Sequence, residues 1–434
     1  MARLKIAYIG GGSTRAPGTV AAFIERGADF AGSEIVLIDL SSERLEIVRT
    51  LATKMALAKG INLKITATTD RRAGLEGCDA VLSSYRPGGF EARRLDERIP
   101  LSQGVIGQET QGAGGFFMAL RSIHIMRSII EDMEAVCPGA RLFNYTNPVN
   151  IVSQAVTLHS NIPTVSLCEG PLVFPSELVR GVGLEPALLD TVMIGLNHGS
   201  WTVRHEYDGG DLMPHLERIL ESDRTNPTLP PELRRWLELS VTMASIPASY
   251  MKYYFFKDEL LAELRAKPTT RAEDILANVP DYWMHYREQA ALPEPVLDPA
   301  RSRGGLFELE LAVDVMGAVF NDHRTVWPVN VPNHGAIPDF SDDLVVEVPG
   351  FCDAHGVTPL VQPPMPKQVM GVTSMLAQYQ MLAAEAAWDG SRRDAVRALA
   401  ANPLVMSLSK AESLYAEMSA AHRDFLPSRL LENR

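Results

Sequence analysis

The sequence predicts an α/β protein: a Rossmann-type doubly wound parallel sheet, followed by a second, mixed and helix-rich α/β segment. Three observations predict it. A strand-like run, KIAYIG, ends in the consecutive glycines Gly10, Gly11 and Gly12. Further short β-rich runs follow (EIVLID, LKITAT, DAVLSS, ARLFNY, TVSLC), with helix-like stretches such as 42–59 and 115–136 between several of them. Alternation at this spacing implies right-handed crossovers in a mostly parallel sheet. Beyond residue 171 the rhythm changes to long helical patterns with a few strands, which divides the chain into a nucleotide-binding domain, 1–170, and a second domain, 171–434.

Taken in order, the glycines end the first strand and let backbone approach a pyrophosphate at a helix N-terminus. Ser13 follows them, and Pro17 suits the first helical turn, where a missing N–H costs nothing. Asp39 closes the second strand, placed to accept ribose hydroxyls and to repel the extra phosphate of NADP. A glycine cluster alone is equally a tight turn; the strand before, the proline after and the acid together point to NAD. The segment 85–115 is glycine-rich and charged and reads as a long functional loop, in which Arg86, Arg93 and Arg94 are candidate anion ligands. TNP, residues 146–148, follows a strand, so Asn147 projects from its carboxyl end, where open sheets bind ligands.

Cys168 and His198 each follow an apolar run and precede a small residue, in CEGP and NHGS. A lone cysteine is usually a small buried hydrophobe and a lone histidine a satisfied core residue. At two strand ends, however, a thiolate and an imidazole form a partial metal site with positions left open. VMIGLNH and SWTVRHEYDG read as strands joined near His198. Helices are expected over 230–257, which carries Tyr250, Lys252, Tyr253 and Tyr254, and over 271–290 and 306–320; the stretch 290–303 reads as a surface linker. TVWPVNV and DLVVEVP read as strands, and 368–418 as helical.

Composition narrows the classes. The 434 residues are 46% hydrophobic and 22% charged, with 41 Lys+Arg against 53 Asp+Glu and a formal net charge of −12. That balance argues against nucleic acid or an anionic membrane as partner, yet leaves room for a small anionic substrate held by local cations. The apolar start is too short for a signal peptide, and no uncharged stretch approaches the ~18 residues of a membrane span. Four cysteines without CxxC spacing suit reduced thiols, so a cytoplasmic protein is expected.

At these residues the chain resembles glycoside hydrolase family 4, the NAD-dependent, usually Mn-dependent glycosidases. The resemblance spans nearly the whole length: GGGS at 10–13, RPGGFEAR at 86–93, DERIPL at 96–101, GQETQGAGG at 107–115, NYTNP at 144–148, LC at 167–168, GLNH at 195–198 and NHGAI…DDLVVEVP at 333–349. The 6-phospho-β-glucosidase branch is the nearest in flavour. The resemblance implies an exception to the two-carboxylate scheme of most glycosidases: NAD⁺ takes hydride from C3 of the sugar, the acidified C2 proton is removed, the aglycone is eliminated, water adds and the hydride returns. It also implies roles: Cys168 and His198 as ligands of a divalent metal, Mn²⁺ foremost, Tyr250 as base, and Asn147 at the substrate, with Arg86 and Lys252 as candidate cations for the substrate's C6 group. Gly10, Gly11, Gly12, Ser13, Asp39 and Glu109 would lie around the cofactor. One departure stands out: the residue after the metal-binding cysteine is Glu169, where the branches carry Asn, Asp or His. Glu169 is a candidate proton donor to the leaving group, a sugar-hydroxyl ligand, or an occupant of the metal position. The substrate is expected to be a hexoside with an anionic C6 group, a 6-phosphoglycoside or a sulfoquinovoside, with Arg94 and Arg324 further cations to consider and a homodimer or homotetramer the expected assembly. The alternative is an NAD-dependent 2-hydroxyacid dehydrogenase of the lactate/malate type, which shares the first domain's topology but would place a His–Asp pair in its second.

Overall fold

In the computed structural model, which describes residues 2–303 and 309–432, a nine-stranded sheet runs through the molecule. Six strands form its parallel part: β1 Lys5–Ile9, β2 Glu34–Ile38, β3 Lys64–Thr68, β4 Ala80–Ser83, β5 Arg141–Asn144 and β6 Thr164–Ser166. Their order, β3-β2-β1-β4-β5-β6, is that of a dinucleotide-binding sheet with its switch point between β1 and β4. After β6 come β7 Leu189–Ile194, β8 Trp201–Tyr207 and β9 Gly210–Asp211, which form a separate antiparallel sheet. The later strands β10 Thr325–Pro332, β11 Val345–Asp353 and β12 Gly356–Pro359 return to the large sheet and extend it antiparallel beyond β6.

Both faces of the sheet are covered, so its central strands are buried on successive residues rather than on alternate ones. Ile6 and Tyr8 face the helix Ala16–Glu25 through Val20, Phe23 and Ile24. Ala7 and Ile9 face the opposite way, toward Phe116, Phe117 and Ile123 of the helix Gly112–Val136. Pro17 lies in the first turn of Ala16–Glu25, as its sequence position predicts. Among the described residues no helix is long and apolar enough to cross a membrane.

The structure corrects three local expectations. The segment 85–115 is not a long loop: Gly89–Ser102 is a helix, entered through Gly88 at φ +78°. Its buried face carries Arg93, Asp96 and Glu97 among Ala92, Ile99 and Leu101, and that charge hides its amphipathic period. The expected helix over 230–257 is broken. Pro231–Met243 ends at Ala244 in the left-handed region, after which the chain pairs with β8, Thr202 N–H to Ile246 O and Ala248 N–H to Ser200 O. Pro247 interrupts any continuing helix there, and a 3₁₀ turn, Ser249–Met251, precedes the short helix Lys252–Phe255. Tyr250 therefore sits on a turn rather than on a helix with Lys252. The helix expected over 306–320 is seen as Glu310–Asn321, and residues 306–308 of that expectation lie outside the described residues. The helical end divides into Met370–Trp388, Arg392–Ala401 and Leu408–Ala421.

Candidate active site

The carboxyl ends of the parallel strands gather most of the residues singled out by sequence. β1 delivers Gly10–Gly12 and Ser13, β2 delivers Asp39, β5 leads to Asn147, and β6 to Cys168 and Glu169. The glycines are required sterically. A Cβ on Gly10, which has φ +99°, would lie 2.1 Å from Ser84 O, and one on Gly12 would lie 2.8 Å from Asp39 Cγ. Gly12 N–H instead donates to Asp39 Oδ2 at 3.0 Å, so the turn and the acid hold each other. Ser13 Oγ is buried without a hydrogen-bond partner among the described residues, in a turn closed by its own N–H on Gly10 O at 3.0 Å.

Cys168 Sγ and His198 Nε2 face each other at 3.8 Å. The histidine lies on the turn between β7 and β8 at φ +62°, and that turn is tied to the large sheet by the Gly195–Glu347 bridge. Burial holds the His198 imidazolium down to about 4, so the ring is neutral with one lone pair to give. Burial, with Glu347 and Glu169 adding to it, pushes the Cys168 thiol up to about 12. A thiolate there needs a compensating cation. No group of three His, Cys, Asp or Glu side chains able to hold a metal occurs among the described residues, so Glu169 does not complete the pair. Its carboxylate accepts from the Tyr145 hydroxyl at 2.7 Å.

Tyr250 stacks on the His198 ring, with centroids 3.8 Å apart and planes 19° from parallel, and meets the edge of Phe174 at 5.9 Å. Burial raises its phenol above the ordinary tyrosine value, and Cys168 and Glu109 push the same way. Asn147 accepts from Ser122 Oγ through its backbone carbonyl at 2.9 Å, while its side-chain amide makes no hydrogen bond among the described residues.

The arginines divide. Arg86 and Arg93 both pair with Glu109. Burial alone would raise that carboxyl, but the two guanidiniums outweigh it and hold it down to about 2. Arg86 Nη1 remains buried without a hydrogen-bond partner among the described residues. Arg94 is spent on Glu91, and Lys252 pairs with Glu232. Arg324 does not belong here: it is exposed and pairs with Asp322 beside the turn that Asp322 caps at Ala354.

Two models of known families match the chain, Family 4 glycosyl hydrolase over residues 5–184 and Family 4 glycosyl hydrolase C-terminal domain over residues 193–405. The chain belongs to glycosyl hydrolase family 4. It is a glycoside hydrolase, and the dehydrogenase alternative falls. This family 4 chain is 34% identical over 439 residues to the probable 6-phospho-beta-glucosidase of Bacillus subtilis, covering 98% of this chain and 97% of that one. It is 32% identical over 444 residues to the 6-phospho-beta-glucosidase of Escherichia coli, with the same coverage of each. Among solved structures it is similar to a 6-phospho-alpha-glucosidase from gut microorganisms in complex with NAD and Mn²⁺, at 25% identity and TM-score 0.85, covering 98% of this chain and 99% of that one.

Several site residues of this family 4 enzyme escape sequence reasoning. Arg303 sets its guanidinium 4.5 Å from the Phe90 ring centroid, the ring that Arg86 also covers at 5.2 Å. Glu347 is 1% exposed, accepts from Asn197 Nδ2 at 2.9 Å and Asn330 Nδ2 at 3.3 Å, and is raised by burial to about 7. Thr110 reaches His198 across 88 residues of sequence. Only their family blocks, GQETQGAGG and DDLVVEVP, carry a signal for Thr110 and Glu347; Arg303 has none.

Proposed function

We propose that the protein hydrolyses glycosides of hexoses carrying an anionic C6 group, 6-phosphoglycosides foremost, using NAD⁺ catalytically and a divalent metal, with Mn²⁺ first among candidates. The observation that carries this reading is the stack of Tyr250 on His198, itself 3.8 Å from Cys168, with Cys168 leaving the same carboxyl edge of a dinucleotide-binding sheet as the glycine turn. Residues present fit both groups. Ser13 Oγ, buried and unpartnered, is a donor for a pyrophosphate oxygen, and the space that a Cβ at Gly10 or Gly12 would fill is needed for the turn that presents it. Asp39 offers Oδ1 and Oδ2 to ribose hydroxyls. Cys168 and His198 have the donor set and separation of two ligands to one ion.

When bound, NAD⁺ would supply a hydride acceptor for C3, and the divalent ion, held by Cys168 and His198, would supply positive charge beside the sugar's hydroxyls. The chain's residues then have these tasks. Tyr250 takes the C2 proton on its phenolate oxygen, a role its raised pKa forbids until a cation adjoins it. Glu169, held by Tyr145, delivers or relays the proton that the departing aglycone oxygen needs. Asn147 binds a sugar hydroxyl through its uncommitted amide. Arg86, with one buried N–H lacking an acceptor, and Arg303 beside it supply the cationic wall for the C6 anion. Lys252 is bound to Glu232 and serves this wall only if substrate displaces that carboxylate.

The test is a panel of nitrophenyl glycosides in both anomers, with C6 carrying phosphate, sulfonate or a neutral hydroxyl, assayed with NAD⁺ and with or without Mn²⁺. Nitrophenol release is expected for an anionic C6 group, on sub-stoichiometric NAD⁺, with no net NADH and with solvent deuterium at C2 of the released sugar. Preference for the sulfonate arm would make the substrate a sulfoquinovoside. Cleavage of neutral glycosides alone, or by protein stripped of NAD⁺, would overturn the proposal.

A further inference from the structure

A neutral imidazole carries one proton and one lone pair, and which nitrogen holds the proton is set by the partner of the other. In His198, Nε2 is the nitrogen turned to Cys168 Sγ. A metal shared with that sulfur needs the Nε2 lone pair, and therefore needs the proton on Nδ1. Both residues are closed to solvent: His198 is 7% exposed and Thr110 9%. Thr110 Oγ1, at 2.9 Å, is the hydrogen-bond partner of Nδ1 among the described residues.

Whether a threonine hydroxyl accepts or donates depends on where its own proton goes. Here the neighbours direct it. Gln108 Oε1 takes the backbone N–H of Thr110 at 2.5 Å and of Gln111 at 2.8 Å, which identifies that side-chain atom as the oxygen. The same oxygen lies 3.1 Å from Thr110 Oγ1 and receives the hydroxyl proton. Gln111 Nε2 donates to Thr110 Oγ1 at 3.3 Å, and Gln111 Oε1 is in turn held by the Tyr254 hydroxyl at 2.5 Å. Thr110 Oγ1 is thus left with a lone pair facing His198 Nδ1. The loop packs closely on glycines: a Cβ on Gly115 would lie 2.3 Å from the Thr110 carbonyl carbon, and one on Gly114 2.3 Å from Gln108 O.

We infer that Thr110 is a positioning residue that fixes His198 as the Nδ1–H tautomer, aimed through Nε2 at the metal position shared with Cys168. The inference rests on the metal reading above, and the experiment separates the two. Metal-free protein is titrated with Mn²⁺, following free Mn²⁺ by electron paramagnetic resonance, for wild type, Thr110→Val and Thr110→Ser. Valine keeps the shape and removes the acceptor, and is expected to weaken Mn²⁺ binding by ~10- to 100-fold. Serine restores the hydroxyl and is expected to bind within a few-fold of wild type. NAD⁺ affinity and the thermal midpoint, measured on the same samples, stay near wild-type values if the loss is one of positioning. Wild-type-like Mn²⁺ affinity in Thr110→Val, or a serine variant as weak as the valine one, overturns the inference while leaving the metal site standing. Wild type with no saturable Mn²⁺ binding overturns both.

Discussion

In the proposed mechanism Tyr250 is the base, and its surroundings are set against that role. Burial, the sulfur of Cys168 and the carboxylate of Glu109 all favour the neutral phenol, with Arg93 alone opposing them. On that proposal the base works only after a cation arrives, so proton abstraction would be coupled to occupancy of the Cys168–His198 pair. Tyr250→Phe keeps the ring that packs on His198 and Phe174 and removes only the oxygen. It is expected to leave NAD⁺ affinity unchanged and to lower kcat by at least ~10²-fold, with loss of C2 deuterium exchange as the direct readout. Glu347 poses a different problem, that of a carboxyl sealed in the core. Its folded-state value near 7 lies above that of an unfolded glutamate, so between the two the native protein holds a proton that the unfolded chain has released. Stability from this group is therefore full below the unfolded value and is lost as pH rises toward 7. Glu347→Gln removes that dependence. In metal-free protein, the variant is expected to gain on wild type by ~2–3 kcal/mol between about pH 5 and about pH 8, measured by urea unfolding at each pH. An offset that does not change with pH would show that Glu347 is ionised throughout.

At the level of elements, the turn after β1 and the end of β2 behave as one part. Gly12 can approach Asp39 only because it lacks a side chain, and its N–H then fixes the carboxylate. Gly12→Ala is expected to displace Asp39 and weaken NAD⁺ binding by ~10-fold or more, visible in fluorescence titration, with far-UV circular dichroism unchanged. This part was legible in the sequence, since an apolar run followed by glycine, or by an acid, marks a strand's carboxyl end without reference to anything distant. Cys168 and His198 were legible for the same reason. The helix Gly89–Ser102 was not, because its buried charges, beyond the Arg93–Glu97 pair within the helix, are satisfied from elsewhere. Arg93 meets Glu109, Asp96 meets Arg121 and His422, and Glu97 Oε2 accepts from Ala272 N–H. No periodicity rule anticipates a charged residue on a core face when its partner lies 25 or 175 residues away. Thr110, Arg303 and Glu347 escaped for the same cause: tertiary pairing, not local pattern, brings them to the site.

Across the whole molecule, the two halves of the sequence are interlocked rather than stacked end to end. β10, β11 and β12 complete the sheet begun by β1, Gln154 is bonded to Val345 and Gln380, and the Tyr286 hydroxyl donates to Thr14 O at 2.8 Å. A further tie runs from a buried charge pair of the first half to the C-terminal segment. Arg121, fully buried in the helix Gly112–Val136, makes a two-pronged bond to Asp96 at 2.9 and 2.6 Å, and His422 Nε2, near the chain's end, lies 2.9 Å from the same carboxylate. Burial would raise the Asp96 carboxyl, yet Arg121 and His422 outweigh it and hold the group below its usual value, so the pair is ionised in the folded state. Such a pair is worth little against a well-packed apolar replacement, but breaking it leaves a charge stranded in the core. Asp96→Asn is accordingly expected to cost ~3–5 kcal/mol in urea unfolding. Removing the stranded charge as well, in Asp96→Asn with Arg121→Met, is expected to recover a substantial part of that loss. Because the network joins helices from the first half to the C-terminal segment, tryptophan fluorescence and circular dichroism are expected to report one shared transition in both variants. Two separated transitions would mean that the C-terminal helices unfold on their own, and that the Asp96 network is a local tie rather than the seam between the halves.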